Sequence, residues 1–420
     1  MGAHKHSHLI AVIGPGLLVA ATGVGAGDLA TASFAGSLLG ASIVWAVGLG
    51  AFLKFVVTEG LARWQLATGE TLLEGAVHRL SPVIGWLFLP YLLLWSFFVG
   101  SALMSACGVT LYAMAPIFED ASDGKVVFGV VASVAGLVLV LNGGYRLFEG
   151  VMRICIGIMF ITVIVTAALV WPGLGDVEQS LLVPRMPVFR GQGLAWTVAL
   201  LGGVGGTLTV LCYGYWIREE GRVGAEYLRT CRIDLGVGYL VTAIFGVAMV
   251  IIGSTVEIEG KGATLLVTLS DRLADSLGPV GRWMFLIGAA GAVFSSLLGV
   301  WQAVPYLFAD WWALMRRRVG TQGVVPPAET IDTSSLPYRG YLVGLAVLPM
   351  LGLFWSFQDI QKLYAIIGAT FIPLLALALL FLNGRRAWVG ERFKNRPLTV
   401  IVLVAALAFF AWIVARTVMG

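Results

Sequence analysis

The chain has 420 residues, of which 59% are hydrophobic and 12% are charged, and its formal net charge is +4. Soluble domains carry roughly 25% charged residues, and a soluble core of this length cannot bury so much apolar surface. The composition therefore excludes an ordinary soluble protein and predicts an all-α polytopic membrane protein whose main partner is the lipid bilayer. A nucleic-acid partner is not expected, because the basic residues lie in short loops between apolar segments.

A membrane-spanning helix needs about 20 mostly apolar residues, and about eleven stretches of the chain meet this requirement. In chain order they lie near 9–38, 41–66, 84–115, 125–142, 147–171, 193–216, 229–256, 283–313, 338–356, 360–383 and 397–418. The longest polar stretch, from Arg316 to Arg339, is rich in Gly, Thr, Pro and Ser and predicts a surface loop. The whole chain, 1–420, is therefore expected to form a single transmembrane domain.

Lysine and arginine concentrate in alternate loops, and this asymmetry predicts the orientation of the chain. One set of loops contains most of the cations, whereas the opposite set contains few and includes an acidic loop at 119–123. We therefore expect the N-terminus, with Lys5, in the cytoplasm and the C-terminus outside. The expected location is the inner (plasma) membrane of a bacterium.

Two glycine-dense runs occupy matching places in the predicted first and sixth segments. The first run is Gly23-Val24-Gly25-Ala26-Gly27-Asp28, and the second is Gly203-Val204-Gly205-Gly206-Thr207. Because five spans separate them, the two units have opposite topology, a pattern typical of transporters with inverted repeats. We predict a 5+5 inverted repeat, with repeat one at about 9–171, repeat two at about 193–383 and an extra helix at about 397–418.

Each run is expected to break its segment into two half-helices. Glycines also permit close helix packing, but packing glycines usually recur as small-xxx-small pairs, and these runs are denser. A break at membrane depth frees backbone N–H and C=O groups that can bind a substrate or an ion. The expected substrate site consists of Gly23, Gly25, Gly27, Asp28, Gly203, Gly205, Gly206, Thr207 and Thr209.

Asp28 lies directly at the first run, and an ionisable residue at membrane depth is a functional hypothesis by default. It also suits the N-cap of the second half-helix, and both roles can hold together. Thr207 and Thr209 offer hydroxyl groups at the second run, and Tyr213 and Tyr215 follow, although such hydroxyls can also bond within their own helix. If a metal binds, the predicted ligands are Asp28 and Thr209.

Lys54 lies two to three turns inside the second segment, where a charged side chain is costly. It must snorkel to the membrane edge, pair with an acid such as Asp28, or contact freed carbonyl groups. In the last two cases, Lys54 and Asp28 are candidates for coupling transport to the gain and loss of a proton. In the structural alternative, the Lys54 side chain extends to the membrane edge and contributes to packing only.

The other charged residues of the apolar segments are expected to be structural. Glu59 and Arg63 have the i,i+4 spacing of a helical ion pair near the end of the second segment. Asp234 and Asp310 lie near helix ends, where we expect them to cap a helix or to pair with a neighbour such as Arg232.

Several short motifs resemble the NRAMP family of divalent-metal transporters, which have a leucine-transporter-like fold. The motifs, in chain order, are Gly14-Pro15-Gly16, Leu61-Ala62-Arg63, Tyr145-Arg146-Leu147, Arg232-Ile233-Asp234 and Asn395-Arg396-Pro397. No single motif is specific, but their order and spacing extend over nearly the whole chain. The resemblance implies a membrane transporter with broken first and sixth helices.

The chain departs from the family at the metal site. The family's Asp-Pro-Gly-Asn is replaced by Gly25-Ala26-Gly27-Asp28, and its sixth-span methionine and histidine are replaced by Thr209 and Leu211. The family's tenth-span glutamine aligns with Ala365. Because a thioether favours softer transition metals and oxygen ligands suit hard cations, an oxygen-only site favours Mg²⁺ or Mn²⁺ over Fe²⁺.

Three function classes follow from these observations. The leading hypothesis is a secondary transporter that moves a cation by alternating access. The alternative is a transporter of a small organic carboxylate or zwitterion, in which Lys54 replaces a coupling ion. A third class is a receptor-like or scaffolding membrane protein without transport. An enzyme is not expected, because the sequence contains no nucleophile–base pair, zinc motif or nucleotide loop, and no cofactor is implied.

Overall fold

The computed structural model describes residues 14–171, 192–256, 262–320 and 331–419, and these ranges contain helices and no β-strand. The predicted cytoplasmic N-terminus with Lys5 lies outside these ranges, as do residues 321–330 of the predicted surface loop. The helices are α1 Pro15–Gly23, α2 Ala32–Leu39, α3 Val44–Thr68, α4 Leu72–Arg79, α5 Val83–Met114, α6 Ala121–Leu169, α7 Gln192–Gly203, α8 Cys212–Glu219, α9 Leu228–Ser254, α10 Leu265–Gly320, α11 Leu336–Val347, α12 Phe357–Ala369, α13 Phe371–Leu382, α14 Arg386–Phe393 and α15 Pro397–Met419.

Nine helical stretches in the described ranges are long and apolar enough to cross a membrane. They correspond to nine of the predicted segments, and the first and fifth segments are the exceptions. The first is divided by a π-helix, and in the fifth only Phe160–Leu169 is described as a shorter apolar helix. The chain is therefore an integral helical membrane protein, and the total of eleven spans stays a prediction.

Segments four and five lie in one helix. We predict separate spans at 125–142 and 147–171, whereas the helix α6 extends from Ala121 to Leu169 and includes most of both. The predicted boundary between the two spans, at residues 143–146, falls within the bounds of this helix.

The helices pack as two interlocked units. The helices of segment one pack on α9, and those of segment six pack on α3, while α5 and α10 pack against each other. The contacts are symmetric: segment one packs on segment seven as segment six packs on segment two, and segment three packs on segment eight. An inverted repeat requires this symmetry. The π-helix of segment one lies at the centre, in contact with α5, α7, α9, α10 and α12.

The break predicted in segment six near Gly203–Thr209 is confirmed. Helix α7 ends at Gly203, and α8 begins at Cys212 after a 3-10 turn, Leu208–Leu211. Gly205 and Gly206 have φ values of 73° and 84°. Glycine adopts this left-handed conformation at little cost, whereas most side chains oppose it, so these glycines turn the chain out of the helix.

The break predicted in segment one near Gly23–Asp28 is wrong as a loss of helix. A π-helix, Val24–Thr31, joins α1 to α2 and includes Gly25, Gly27 and Asp28. A π-helix closes its hydrogen bonds from i to i+5 and is widened relative to an α-helix. Segment one is therefore distorted at the predicted position and not unwound.

Candidate functional site

Three carbonyl groups at the break of segment six converge on one ammonium group. Nζ of Lys54 donates a hydrogen bond to the carbonyl oxygen of Gly202 at 2.6 Å, and it also donates to those of Val204 and Gly206. The lysine is 1% exposed, so it does not snorkel to the membrane edge. The break frees these carbonyls from helical bonds, and the lysine of α3 satisfies them.

Asp28 binds the same break from the opposite side. Its Oδ1 accepts a hydrogen bond from the amide of Gly205 at 3.0 Å, and the residue is fully buried. Its Oδ2 has no hydrogen-bond partner among the described residues. No ion pair within 4.0 Å joins the described side chains of Asp28 and Lys54, so carbonyl groups and not the carboxylate hold the ammonium.

The predicted glycines bring the two segments into backbone contact. A Cβ atom added to Gly23 would lie under 3.0 Å from the amide nitrogen of Gly206, and one added to Gly27 would lie under 3.0 Å from the carbonyl oxygen of Gly203. Only glycine permits this approach. These two residues of the first run therefore act as contact points for segment six.

The hydroxyl groups at the second run have partners on other helices. Oγ1 of Thr207 accepts a hydrogen bond from Nε1 of Trp95 at 2.8 Å, which attaches the break to α5. Oγ1 of Thr209 lies 3.5 Å from that of Thr22 on α1, and Thr22 also donates to the carbonyl of Val19 at 2.8 Å. Both predicted threonines are buried and face the break.

Sequence reasoning missed two hydrogen-bonded pairs around the site. The hydroxyl groups of Thr58 and Tyr239 lie 2.7 Å apart, and the ring of Tyr239 packs near Gly205. Nε2 of Gln361 donates to Oγ1 of Thr31 at 2.8 Å, which connects α12 to the π-helix. Gln361 lies one helical turn before Ala365, the position that aligns with the family's glutamine.

The atoms at the break of segment six that could bind a metal ion are all oxygen atoms. Among the described residues, no group of three or more His, Cys, Asp and Glu side chains is placed to hold a metal ion. Asp28 contributes one carboxylate, while Thr207 and Thr209 contribute hydroxyls and the break contributes carbonyls. The two predicted metal ligands, Asp28 and Thr209, are not connected by a hydrogen bond between their described side chains.

A second buried network closes one side of the molecule, the arginine-rich face. This face is the end of the helices that carries Arg63, Arg79, Arg218, Arg222, Arg232 and Arg385. Oδ2 of Asp234 accepts hydrogen bonds from the amide of Gly16 at 2.9 Å, from the hydroxyl of Tyr213 at 3.1 Å and from Nη1 of Arg222 at 3.2 Å. The carboxylate thus fixes α1 and α8 on α9.

Other buried charges of this face form structural pairs. Glu59 and Arg63 form the predicted ion pair at 2.8 Å, and Arg232 binds the second oxygen of Glu59, also at 2.8 Å. Asp234 thus forms a structural ion pair, as expected, but its partner is Arg222, whereas Arg232 binds Glu59. Asp310 accepts hydrogen bonds from Tyr215 at 2.6 Å and from Thr71 at 2.8 Å. The hydroxyl groups of Tyr213 and Tyr215 therefore contact carboxylates of α9 and α10 and not the break.

Residues 16–420 match the family described as "Natural resistance-associated macrophage protein-like", or Nramp. The chain belongs to the Nramp family. This membership supports a transporter, and not an enzyme, and it supports metal ions as the general class of substrate. An uncharacterised protein of Pasteurella multocida (strain Pm70) is 23% identical over 300 residues, which are 69% of this chain and 68% of that protein.

Solved structures show that this Nramp chain has the leucine-transporter-like fold. A variant of the manganese transporter of Eremococcus coleocola is 16% identical, with a TM-score of 0.74, and the match covers 98% of this chain and 87% of that one. MhsT in complex with L-phenylalanine is 15% identical, with a TM-score of 0.61 and coverage of 96% and 97%. The predicted all-α, leucine-transporter-like fold is therefore confirmed.

Proposed function

We propose that the chain is a secondary transporter that moves a small cation by alternating access, with the substrate bound at the break of segment six beside Asp28. The convergence of the carbonyls of Gly202, Val204 and Gly206 on a single positive charge carries this proposal. Such a cluster suits a cation, and buried carbonyls at a half-helix end are typical cation ligands in broken-helix transporters. The structurally similar transporter of Eremococcus coleocola is a manganese transporter, which supports a cation as the substrate.

The proposed cation and Lys54 compete for the same oxygen atoms. Two unit charges 4 Å apart repel by about 4 kcal/mol at an effective dielectric constant of about 20, and a divalent ion roughly doubles this energy. A cation therefore enters the carbonyl cluster only when the lysine loses its proton or leaves the cluster. The free Oδ2 of Asp28 offers the displaced ammonium, or the incoming cation, a charged partner at the break.

The oxygen-only donor set points to a hard cation. Carbonyl, hydroxyl and carboxylate oxygens suit Mg²⁺ and Mn²⁺, whereas a thioether, which helps to select softer metals, is replaced by Thr209. We therefore propose Mg²⁺ or Mn²⁺ in preference to Fe²⁺. The arginine-rich face is proposed to be cytoplasmic in a bacterial inner membrane, with the N-terminus inside and the C-terminus outside.

A second candidate function is the transport of a small carboxylate or zwitterion. The break already binds a carboxylate through the amide of Gly205 and an ammonium through its carbonyls, both supplied by side chains of the chain itself. An amino acid carries the same two groups. In this case Lys54 stays on the carbonyls as a resident cation, and the substrate carboxylate takes the place of Asp28. MhsT, in complex with L-phenylalanine, shares the fold.

Uptake into proteoliposomes tests the two candidates. Purified protein is reconstituted and supplied with Mg²⁺, Mn²⁺, Fe²⁺ or a panel of small amino acids, with empty liposomes as the blank. The proposal predicts uptake of Mg²⁺ or Mn²⁺ that exceeds uptake of Fe²⁺ and that generates proton movement. Amino-acid uptake without metal uptake would establish the second candidate. Fe²⁺ uptake at micromolar concentration that depends on Asp28 would contradict the oxygen-site argument.

A further inference from the structure

An apolar groove opens sideways on the outer surface of the helix bundle, near the arginine-rich face. It lies between α4, α5 and α13, and its cavity measures about 690 Å³. Leu87 and Leu374 line it with 66% and 56% of their surfaces exposed, so the groove faces the lipid. From Phe371 to Phe381 it follows α13 for about 15 Å, at a rise of 1.5 Å per residue.

Two guanidinium groups stand at the end of this groove. Arg79 at the end of α4 and Arg385 after α13 both line it. The guanidinium carbons of Arg79 and Arg385 lie 5.9 Å and 4.3 Å from the ring centroid of Trp388, so one indole positions both cations. Tryptophan and arginine are the residues that anchor at the headgroup level of a bilayer.

The charge at this end is positive. Arg79 also lies 3.4 Å from Glu70, but this pair is partly exposed, and exposed ion pairs are weak. Among the described residues, no carboxylate lies within 4.0 Å of Arg385. One acid therefore balances two arginines, and the groove combines apolar walls about 15 Å long with a net positive end.

We propose that this groove binds one anionic phospholipid, with the phosphate between Arg79 and Arg385 and an acyl chain along α13. Basic pockets between helices bind anionic headgroups, and planar guanidinium groups match phosphate geometry. Leu211, in the 3-10 turn after the break of segment six, also lines the groove. A bound lipid therefore contacts the element that carries the break.

Native mass spectrometry of the detergent-solubilised full chain tests this proposal. Titration with phosphatidylglycerol and with phosphatidylcholine should show one phosphatidylglycerol bound more tightly. The double variant Arg79→Gln/Arg385→Gln should weaken this binding by about fivefold for each arginine. The control is Arg416→Gln. The guanidinium carbon of Arg416 lies 5.8 Å from the ring centroid of Trp412, and neither residue lines the groove, so this variant should leave binding unchanged.

A second variant tests the acyl chain. Leu374→Trp places a larger side chain in the groove at a position that is 56% exposed, and it should weaken phosphatidylglycerol binding with both arginines intact. Soluble glycerol phosphate at the same concentration should not compete. Equal affinity for the two lipids, unchanged binding in either variant, or full competition by glycerol phosphate would overturn the proposal.

Discussion

The amide of Gly205 donates a hydrogen bond to Oδ1 of Asp28 at 3.0 Å. An acid on the π-helix of segment one is thereby fixed to the break of segment six, while its second oxygen is buried without a partner in the described chain. The first oxygen supports structure, and the second is available to a cation. This division of roles separates the structural function of Asp28 from its proposed function in binding.

Asp28→Asn should preserve the protein but abolish transport. Asparagine retains an oxygen that accepts the hydrogen bond from Gly205, but it removes the negative charge that a cation needs. We expect uptake to fall by more than tenfold, with an unchanged melting temperature. Asp123→Asn, at an exposed position, is the matched control. Full uptake by Asp28→Asn would leave this residue with the structural role alone.

Gly27→Ala should destabilise the chain, because the added methyl group overlaps the carbonyl of Gly203. Overpacking of this kind costs about 1–3 kcal/mol in buried sites. Gly48→Ala is the control, since nothing lies within 4 Å of its added Cβ and alanine favours the helix. Thermal unfolding in detergent should show a lower midpoint for Gly27→Ala only. Equal midpoints would mean that the segments do not meet at Gly27.

The sequence predicted the break of segment six but misjudged segment one. Both runs contain closely spaced glycines, and glycine density does not distinguish an unwound helix from a helix that contacts another backbone. In segment six, glycine is required at positions 205 and 206 because their φ angles are positive. In segment one, glycine is required at positions 23 and 27 because a side chain there would overlap the backbone of segment six. The close-packing alternative thus applies to the first run.

The environment of Lys54 was predictable only as a set of alternatives. Its depth required a carboxylate, a carbonyl cluster or a route to the membrane edge. The choice depends on how α3 is rotated relative to the break, and one sequence contains no signal for this rotation. The same limit applies to Asp234, because its partner Arg222 lies 12 residues away in a loop whose course a helical pattern does not predict.

Asp234→Asn should loosen the arginine-rich face. The carboxylate holds Gly16, Tyr213 and Arg222, and its neutralisation leaves a buried arginine without its counter-charge. Breaking a buried pair in this way costs about 3–5 kcal/mol. We expect α1 and α8 to separate from α9 more often, which would expose the adjacent, buried Cys231.

Alkylation followed by peptide mass spectrometry measures this opening. Cys231 should react at least about tenfold faster in Asp234→Asn, since each 1.4 kcal/mol corresponds to a factor of ten. Cys107, buried in α5, provides an internal control and should stay protected in both proteins. An unchanged rate at Cys231 would show that Asp234 does not hold this face closed, and equal acceleration at Cys107 would indicate global unfolding.

Lys54→Gln distinguishes the two proposed functions. Glutamine removes the positive charge from the carbonyls of Gly202, Val204 and Gly206 but retains N–H donors. If a metal ion competes with the ammonium, the variant should bind Mg²⁺ or Mn²⁺ at least tenfold more tightly, because the repulsion between the two cations is gone. Uptake should also lose its dependence on pH, since no lysine proton has to leave.

If Lys54 instead serves as a resident cation for an organic substrate, the same variant should retain substrate binding without gaining metal affinity. The matched control is Lys125→Gln, because Lys125 is also buried and donates to a carbonyl, that of Trp355 at 2.7 Å, outside the site. Calorimetric titration of metal and amino acid, together with uptake between pH 5 and pH 9, measures these outcomes. Identical behaviour of Lys54→Gln and the wild type would assign Lys54 a purely structural role at the break, because neither competition nor coupling could then depend on its charge.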